Sequence, residues 1–190
     1  MNLFVAVKSN RAVTVRGISS LGSFIRSFHL SPKTMVIPVG SKLPSVDLSE
    51  GVPHNKVNLA KLSLGKKIII FGVPGAFTPG CSKTHLPGYL KKLEEFKSKG
   101  ISDICCVSVN DTFVMNAWGE DQGSIGKIRM LADIDGSFTD ALDLSVDIEV
   151  LGGKRSKRYS MIVENGIVKE VNVEPDNTGL SCSLAEHIKL

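Results

Sequence analysis

The chain has 190 residues, of which 42% are hydrophobic and 22% charged, and it contains 18 Gly, 8 Pro and 4 Cys. This length and balance fit one globular domain that buries a core without help from disulfides or metals. The longest apolar run, at 68–73, is far shorter than the roughly 18 residues of a membrane-spanning helix. The sequence therefore predicts neither a membrane protein, a collagen-like fibre nor a disordered chain.

The net charge of +4 comes from the N-terminal region. Residues 1–46 hold six Lys or Arg and no acid, which leaves 17 basic residues against 19 acidic ones in the rest of the chain. A basic surface for nucleic acid is not predicted. We expect no nucleic-acid partner and no membrane partner.

Residues 1–35 are interpreted as a mitochondrial transit peptide, and residues 36–190 as the folded domain. The N-terminal segment is rich in Ser and Arg, and Lys8 interrupts the apolar start that a secretory signal would need. The run from Arg26 to Ser31 resembles the arginine-x-phenylalanine-x-x-serine pattern of twice-trimmed matrix presequences. We expect import into the mitochondrial matrix; the alternative is a basic tail with no targeting role.

Two further locations follow from short features of the sequence. Translation that starts at Met35 would give a cytoplasmic form. The final Ile188-Lys189-Leu190 resembles the peroxisomal signal, although Ile188 stands where that signal has a small residue.

Predicted strands and helices alternate along the folded part. Buried strands are predicted at 67–73, 103–109 and 127–132, and helices at 81–99, 111–121, 137–144 and 184–188. Two more strands, 158–163 and 167–173, flank Asn165-Gly166, a pair that favours a two-residue hairpin turn. Pro87 and Gly88 should kink the long helix, because Pro lacks an N–H and clashes with the preceding turn. The order predicts an α/β domain of thioredoxin-like fold, with a mixed central sheet flanked by helices.

Several common chemistries have no motif in this sequence. It contains no G-x-G-x-x-G after a strand, no Walker loop, no H-E-x-x-H and no G-x-S-x-G. The four His and four Cys are scattered, apart from the adjacent Cys105 and Cys106, so no metal-ligand spacing occurs. We expect neither a metal nor an organic cofactor.

Cys81 stands at the predicted start of a helix, after a buried strand and a loop rich in Pro and Gly. Unpaired backbone N–H groups and the positive helix end favour an anion there. A free thiol is mostly protonated at neutral pH, so a nucleophilic cysteine needs such surroundings. The helix end supplies about 0.3–1 kcal/mol, or about 2 kcal/mol when partly buried, so a cation is also required. The candidates are Arg129, Arg155 and Arg158.

The loop before this cysteine carries a specific motif. Pro74, Thr78 and Cys81 form the pattern P-x-x-x-T-x-x-C, which is similar to the signature of peroxiredoxins. The longer stretch 71–88 resembles the type-5 peroxiredoxins. Further segments resemble the same proteins, namely 107–110, 158–161 and 173–176, and the likeness extends from residue 36 to the C-terminus.

This resemblance implies a thiol peroxidase that reduces hydrogen peroxide, alkyl hydroperoxides and peroxynitrite. Cys81 would be the peroxidatic nucleophile, which becomes a sulfenic acid. Thr78 would place its hydroxyl between sulfur and peroxide, accepting a hydrogen bond from one peroxide oxygen and donating one to the sulfur or the leaving side. Arg158 is the arginine that the resemblance aligns, whereas Arg155 is interpreted as a solvated member of the basic run 154–158.

Three more residues are assigned to substrate binding. Backbone N–H groups of Gly80 and Cys81 are expected to bind the peroxide oxygens, and Pro74 to shield the sulfenic acid. By resemblance His85, one turn beyond Cys81, lines the pocket; the alternative is a hydrogen-bonded structural histidine.

In type-5 peroxiredoxins a cysteine at the place of Cys182 resolves the sulfenic acid within the same chain. The resemblance therefore implies a Cys81–Cys182 disulfide, formed with loss of water; the alternative for Cys182 is a buried inert thiol. Cys105 and Cys106 are predicted to be core residues. The chain has no C-x-x-C, which disfavours a thioredoxin or a disulfide isomerase. The resemblance implies thioredoxin as the reductant. We expect a monomer or a weak homodimer. The rival function is a thiol redox sensor or relay that passes oxidation to partner proteins.

Overall fold

The protein is described here by a computed structural model covering residues 36–190. The transit-peptide interpretation and the internal start at Met35 lie outside the described residues. No helix in the described part is long and apolar enough to cross a membrane.

The described residues form an α/β domain. The strands are β1 (Asp47–Glu50), β2 (Val52–Asn58), β3 (Lys67–Gly72), β4 (Ile101–Ser108), β5 (Arg129–Ala132), β6 (Ser145–Ile148), β7 (Gly153–Ser156), β8 (Tyr159–Glu164) and β9 (Ile167–Val173). The α-helices are α1 (Leu59–Leu62), α2 (Leu86–Lys91), α3 (Leu93–Ser98), α4 (Thr112–Asp121) and α5 (Ser137–Ala141). A π-helical segment, Cys81–His85, precedes α2, and 3-10 turns occupy Glu149–Leu151 and Ala185–His187.

The central sheet is mixed, as predicted. Its seven strands have the order β2-β1-β5-β4-β3-β8-β9. The neighbours β3, β4 and β5 run parallel, and the other pairs are antiparallel. The carboxyl ends of the three parallel strands therefore meet at one edge of the sheet, and the loops that follow them lie together there.

Strand β3 divides the core into two layers because its side chains alternate between the two faces of the sheet. Ile69 and Phe71 pack with Cys106, Tyr89 and Trp118 on one face. On the other face, Ile68 and Ile70 pack in a cluster that also contains Cys105, Phe138 and Tyr159. The prediction that Cys105 and Cys106 are core residues is confirmed, since both are fully buried. Burial raises the pKa of both thiols well above the usual range, which leaves them chemically inert.

The helix predicted over 81–99 is present but divided. The Leu86 N–H donates to the Cys81 carbonyl, which opens a π turn just before Pro87. Pro87 then lies in the first turn of α2, where its missing N–H is tolerated. A second break at Lys92 separates α2 from α3.

The hairpin between β8 and β9 follows the prediction. Asn165 and Gly166 both have positive φ, 49° and 75°, as a two-residue turn of this kind requires. Two other strand pairs were not predicted, β1–β2 and β6–β7. Most side chains of β2 are exposed, so it lacks the apolar run that marked the central strands.

Candidate active site

The loop between β3 and the π-helical segment is held by the end of β4. The Asn110 side-chain oxygen accepts the Ala76 N–H at 3.1 Å and the Ser108 hydroxyl at 2.8 Å. Within the loop, Phe77 has a φ of 60°, a conformation that non-glycine residues rarely adopt. A constrained turn of this kind fixes the direction in which the chain enters the helix.

Cys81 lies at the start of the π-helical segment and is fully buried. The Ser82 N–H donates to the Thr78 carbonyl at 2.9 Å, so the helical turn already begins at Thr78. Within the described chain, the N–H groups of Gly80 and Cys81 have no backbone partner. Such N–H groups are available to an anion or a polar substrate beside the sulfur.

Thr78 orients its hydroxyl differently from the expectation. Its Oγ1 donates to the Gly75 carbonyl at 2.9 Å. The hydroxyl proton is therefore not directed at the sulfur, and the expected donation from Thr78 to the sulfur or the leaving side is absent from this arrangement. The oxygen keeps its lone pairs, so it remains able to accept a hydrogen bond from a bound peroxide.

Arg158, at the entry to β8, lies against Cys81. Its Nη1 donates to Cys81 Sγ at 3.3 Å, and its Nε donates to the Thr178 carbonyl at 2.9 Å. Only 4% of the residue is exposed, so little water competes for the guanidinium. A Cβ added to Gly80 would lie 3.2 Å from Nη2, and glycine at that position lets the guanidinium approach the helix start closely.

The other two candidate arginines have different partners. Arg129 forms a two-point salt bridge with Glu50. The interpretation of Arg155 as a solvated residue is wrong. Its guanidinium is partly buried and donates to the carbonyls of Val109 and Leu151. Val109 follows β4 and Leu151 precedes β7, so neither carbonyl has a strand partner and both are available to Arg155. A Cβ added to Gly75 would lie 3.9 Å from Arg155 Nη1, so Arg155 lies beside the active-site loop.

His85 is fully buried behind Arg158 and not exposed to a pocket. Its Nδ1 lies 3.3 Å from Arg158 Nη1 and its Nε2 lies 3.1 Å from the Ser183 carbonyl. Burial and the charge of Arg158 lower the pKa of His85 to about 3, so the ring is neutral. Arginine can only donate, so Nδ1 accepts and the Nε2–H donates to Ser183. This geometry corresponds to the structural alternative, in which His85 orients Arg158.

Cys182 lies in a separate region and does not meet Cys81. Both cysteines are free thiols. The Cys182 thiol donates to the Val173 carbonyl at 3.3 Å and is partly buried. Burial, followed by the charge of Glu174, raises the pKa of Cys182. The disulfide implied by the resemblance therefore requires that at least one of the two segments move.

Glu174 was not singled out by sequence reasoning. It follows β9, is 1% exposed, and accepts hydrogen bonds from Ser181, Cys182 and Ser183. Burial alone would raise the pKa of Glu174, but the hydrogen bonds from Ser181 and Ser183 outweigh it and hold the pKa at about 2. The sequence signal for this arrangement is Glu174 followed along the chain by Ser181-Cys182-Ser183, because serine hydroxyls and loop N–H groups are suitable donors to a carboxylate.

Pro74 is buried at the start of the active-site loop. Among the described residues, no three His, Cys, Asp or Glu side chains are grouped to hold a metal ion.

Comparison with known proteins gives consistent results. The Redoxin family matches residues 38–187. Peroxiredoxin-2E, chloroplastic, from Arabidopsis thaliana is 41% identical over 181 residues, which cover 92% of this chain and 77% of that protein. The crystal structure of reduced Prx3 from Vibrio vulnificus in complex with hydrogen peroxide is 47% identical, with a TM-score of 0.74, and covers 80% of this chain and 96% of that one. The crystal structure of peroxiredoxin 5 from Alvinella pompejana is 44% identical, with a TM-score of 0.69, and covers 77% of this chain and 95% of that one.

Proposed function

We propose that Cys81 is the peroxidatic cysteine of this chain. The premise is that the chain belongs to the Redoxin family as a type-5 peroxiredoxin, and is thus a thioredoxin-dependent thiol peroxidase. The observation that carries this proposal is the 3.3 Å contact from Arg158 Nη1 to Cys81 Sγ at the start of a helix. A buried cation and two N–H groups without backbone partners stabilise a thiolate there. Cys105 and Cys106, whose surroundings are apolar, are unsuitable for this role.

Peroxide reduction then needs no cofactor, because sulfur itself supplies the electron pair. The Cys81 thiolate attacks one peroxide oxygen in line with the O–O bond, which breaks as the S–O bond forms. The electron pair leaves with the second oxygen, which takes a proton and departs as water or an alcohol. Arg158 and the N–H groups of Gly80 and Cys81 stabilise the charge as it moves, and the Thr78 oxygen accepts a hydrogen bond from the attacked oxygen, whose proton stays with the sulfenic acid.

Peroxides and thioredoxin-type reductants are the partners of this family. Hydrogen peroxide is proposed as a substrate of this chain because Vibrio vulnificus Prx3 is described in complex with it. Alkyl hydroperoxides and peroxynitrite share the same O–O bond and are proposed with it. Nitrite would be the product from peroxynitrite.

Cys182 is proposed as the resolving cysteine. Its sulfur attacks the Cys81 sulfur, the S–O bond breaks, and the hydroxide takes a proton to leave as water. Thioredoxin then reduces the Cys81–Cys182 disulfide. Cys182 is partly buried and flanked by serines on a segment without strand pairing, which favours a thiol that moves over one locked in a core.

A weak homodimer is proposed through the edge of the sheet that carries the site. The exposed Phe77, Phe113 and Ile134 follow the carboxyl ends of the neighbouring parallel strands β3, β4 and β5. Their burial in a dimer would cover apolar surface beside the site. Sedimentation at increasing concentration should show association that Phe113→Ser weakens.

The mitochondrial matrix is proposed as the destination. The relative that is 41% identical is described as chloroplastic. Its match covers 92% of this chain, which is a larger share than residues 36–190 make up. Both observations are compatible with an organellar targeting peptide. Residues 1–36 fused to a fluorescent reporter should carry it to mitochondria; a cytosolic reporter would contradict the proposal. Reporters for the Met35 start and for the final Ile188-Lys189-Leu190 test the cytoplasmic and peroxisomal forms.

The decisive experiment measures peroxide consumption by the full chain with thioredoxin, thioredoxin reductase and NADPH. Cys81→Ser should abolish turnover. Cys182→Ser should stop with thioredoxin but continue with a small dithiol, while Cys105→Ala serves as the matched control. A wild-type protein that reacts once and then stops would contradict peroxidase turnover and favour the redox relay.

A further inference from the structure

We propose that Glu174 is a positioning residue that holds the resolving cysteine away from Cys81 in the reduced enzyme, so that its release limits disulfide formation. The inference deepens the proposed function and rests on Cys182 being the resolving cysteine. We call the Glu174 carboxylate and its hydrogen bonds to residues 181–183 the Glu174 latch.

The latch consists of five hydrogen bonds to one short segment. Glu174 accepts from the Ser181 N–H at 2.9 Å and its hydroxyl at 2.5 Å, and from the Cys182 N–H at 2.9 Å. It also accepts from the Ser183 N–H at 2.9 Å and its hydroxyl at 2.7 Å. Four of these bonds reach Oε1 and one, from the Ser181 hydroxyl, reaches Oε2, so one carboxylate holds three successive residues.

The latched segment points Cys182 away from the active-site loop. The thiol donates to the Val173 carbonyl and borders a cavity of about 400 Å³. The other residues that line this cavity are Glu170, Asn172, Glu186, His187 and Lys189. They belong to β9 and the C-terminal segment, and none belongs to the loop or helix that carries Cys81. The held position is therefore not the position of attack.

The active-site helix fastens the same segment from the opposite side. The Ser183 carbonyl accepts from the Tyr89 hydroxyl at 2.8 Å and lies 3.1 Å from His85 Nε2. His85 also contacts Arg158, which donates to Cys81. If the π-helical segment that begins at Cys81 opens, His85 moves with it and its contact to the Ser183 carbonyl is lost. The five Glu174 hydrogen bonds and the bond from the Cys182 thiol to the Val173 carbonyl then still hold the segment, and the Glu174 bonds are the larger part of this restraint.

The test separates the two chemical steps in the full chain. Reduced protein is mixed with hydrogen peroxide in a stopped-flow instrument, and Trp118 fluorescence is followed, because Trp118 Nε1 donates to the Ser82 hydroxyl beside Cys81. Acid quenching and mass spectrometry assign the phases to the sulfenic acid and to the Cys81–Cys182 disulfide. If wild type forms no such disulfide, the proposed function fails, independently of the latch.

The Glu174→Gln variant keeps the shape of the side chain but replaces one acceptor oxygen by an NH2 group that faces the loop donors. We expect disulfide formation to accelerate by roughly ten-fold, equivalent to about 1.4 kcal/mol, which is close to the lower end of the net value of one hydrogen bond to a charged group. The sulfenic-acid phase should keep its rate, and less Cys81 should be over-oxidised at high peroxide. Glu174→Asp, which retains the charge, should restore part of the wild-type delay.

Two further variants keep the inference falsifiable. Glu170→Gln removes a carboxylate that lines the same cavity. The Glu170 carboxylate accepts from Asn172 and not from residues 181–183, so the disulfide should form at the wild-type rate in this variant. Ser181→Ala removes a single latch hydrogen bond and should give a smaller acceleration even if Glu174→Gln does not fold. Slower or unchanged disulfide formation in the folded Glu174→Gln variant, or in Ser181→Ala, would overturn the latch.

Discussion

Replacing Arg158 by Met should slow the reaction of reduced enzyme with hydrogen peroxide by at least an order of magnitude. Methionine fills part of the volume but removes the donation from Nη1 to Cys81 Sγ at 3.3 Å and the bond from Nε to Thr178. A hydrogen bond to a charged group contributes about 1.5–3 kcal/mol. Since each 1.36 kcal/mol is a factor of ten in rate, the lost bond to sulfur alone predicts a decrease of roughly 10- to 150-fold.

The rate constant is measured by stopped-flow fluorescence under single-turnover conditions, with iodoacetamide alkylation as an independent measure of thiolate at Cys81. Arg158→Lys, which keeps the charge but lacks the fork of donors, should fall between wild type and Arg158→Met. Arg129→Gln is the matched control, because Arg129 pairs with Glu50. If Arg158→Met and Arg129→Gln both react at the wild-type rate, Arg158 has no part in activating Cys81.

Three further predictions concern stability and loop geometry. Gly72→Ala should lower the free energy of unfolding by about 1–3 kcal/mol through overpacking, because the new Cβ would lie 2.0 Å from the Tyr159 ring. Gly88→Ala is the control, since its Cβ makes only ordinary contacts. Equal denaturation midpoints for the two variants would contradict this prediction. Because burial and Arg158 lower the pKa of His85 to about 3, the unfolded chain takes up this proton first, so stability should fall from about pH 6.5 toward pH 3 by at most about 1.4 kcal/mol per pH unit. Urea titrations of His85→Gln should give a flatter dependence on pH, and an unchanged slope would refute the assignment. Asn110→Ala should lower peroxidase activity, since the Ala76 N–H loses its acceptor and the Ser108 hydroxyl keeps only the Val73 carbonyl. Unchanged steady-state activity would show that the loop does not depend on Asn110.

The sequence predicted the strands that a continuous apolar run or a turn motif marks, and it missed the pairs β1–β2 and β6–β7. Strand β3 is a continuous apolar run and was placed within one residue of its observed end. Strand β2 has one buried residue in seven, and β6 has none, so neither produced an apolar pattern. Their pairing depends on contacts between distant parts of the chain, which a local pattern does not contain.

The site divides in the same way. Cys81, Thr78 and Arg158 were identified from a local motif and a resemblance, and the structure brings them together. Asn110 and Glu174 were missed because each acts by accepting backbone N–H groups from other segments. The pattern of residues around such an acceptor is set by the fold and not by spacing along the chain.

The placement of the cysteines gives the folded enzyme a graded set of chemical probes. Cys182 is partly exposed, Cys81 is buried beneath one helical turn, and Cys105 and Cys106 are buried on opposite faces of β4. A thiol-labelling time course read by mass should therefore report three events in sequence, namely fraying of the C-terminal segment, opening of the active-site helix, and global unfolding. Each event has its own free energy of opening. Comparing the free energy of opening the active-site helix with that of global unfolding gives the fraction of the stability that is needed to expose Cys81.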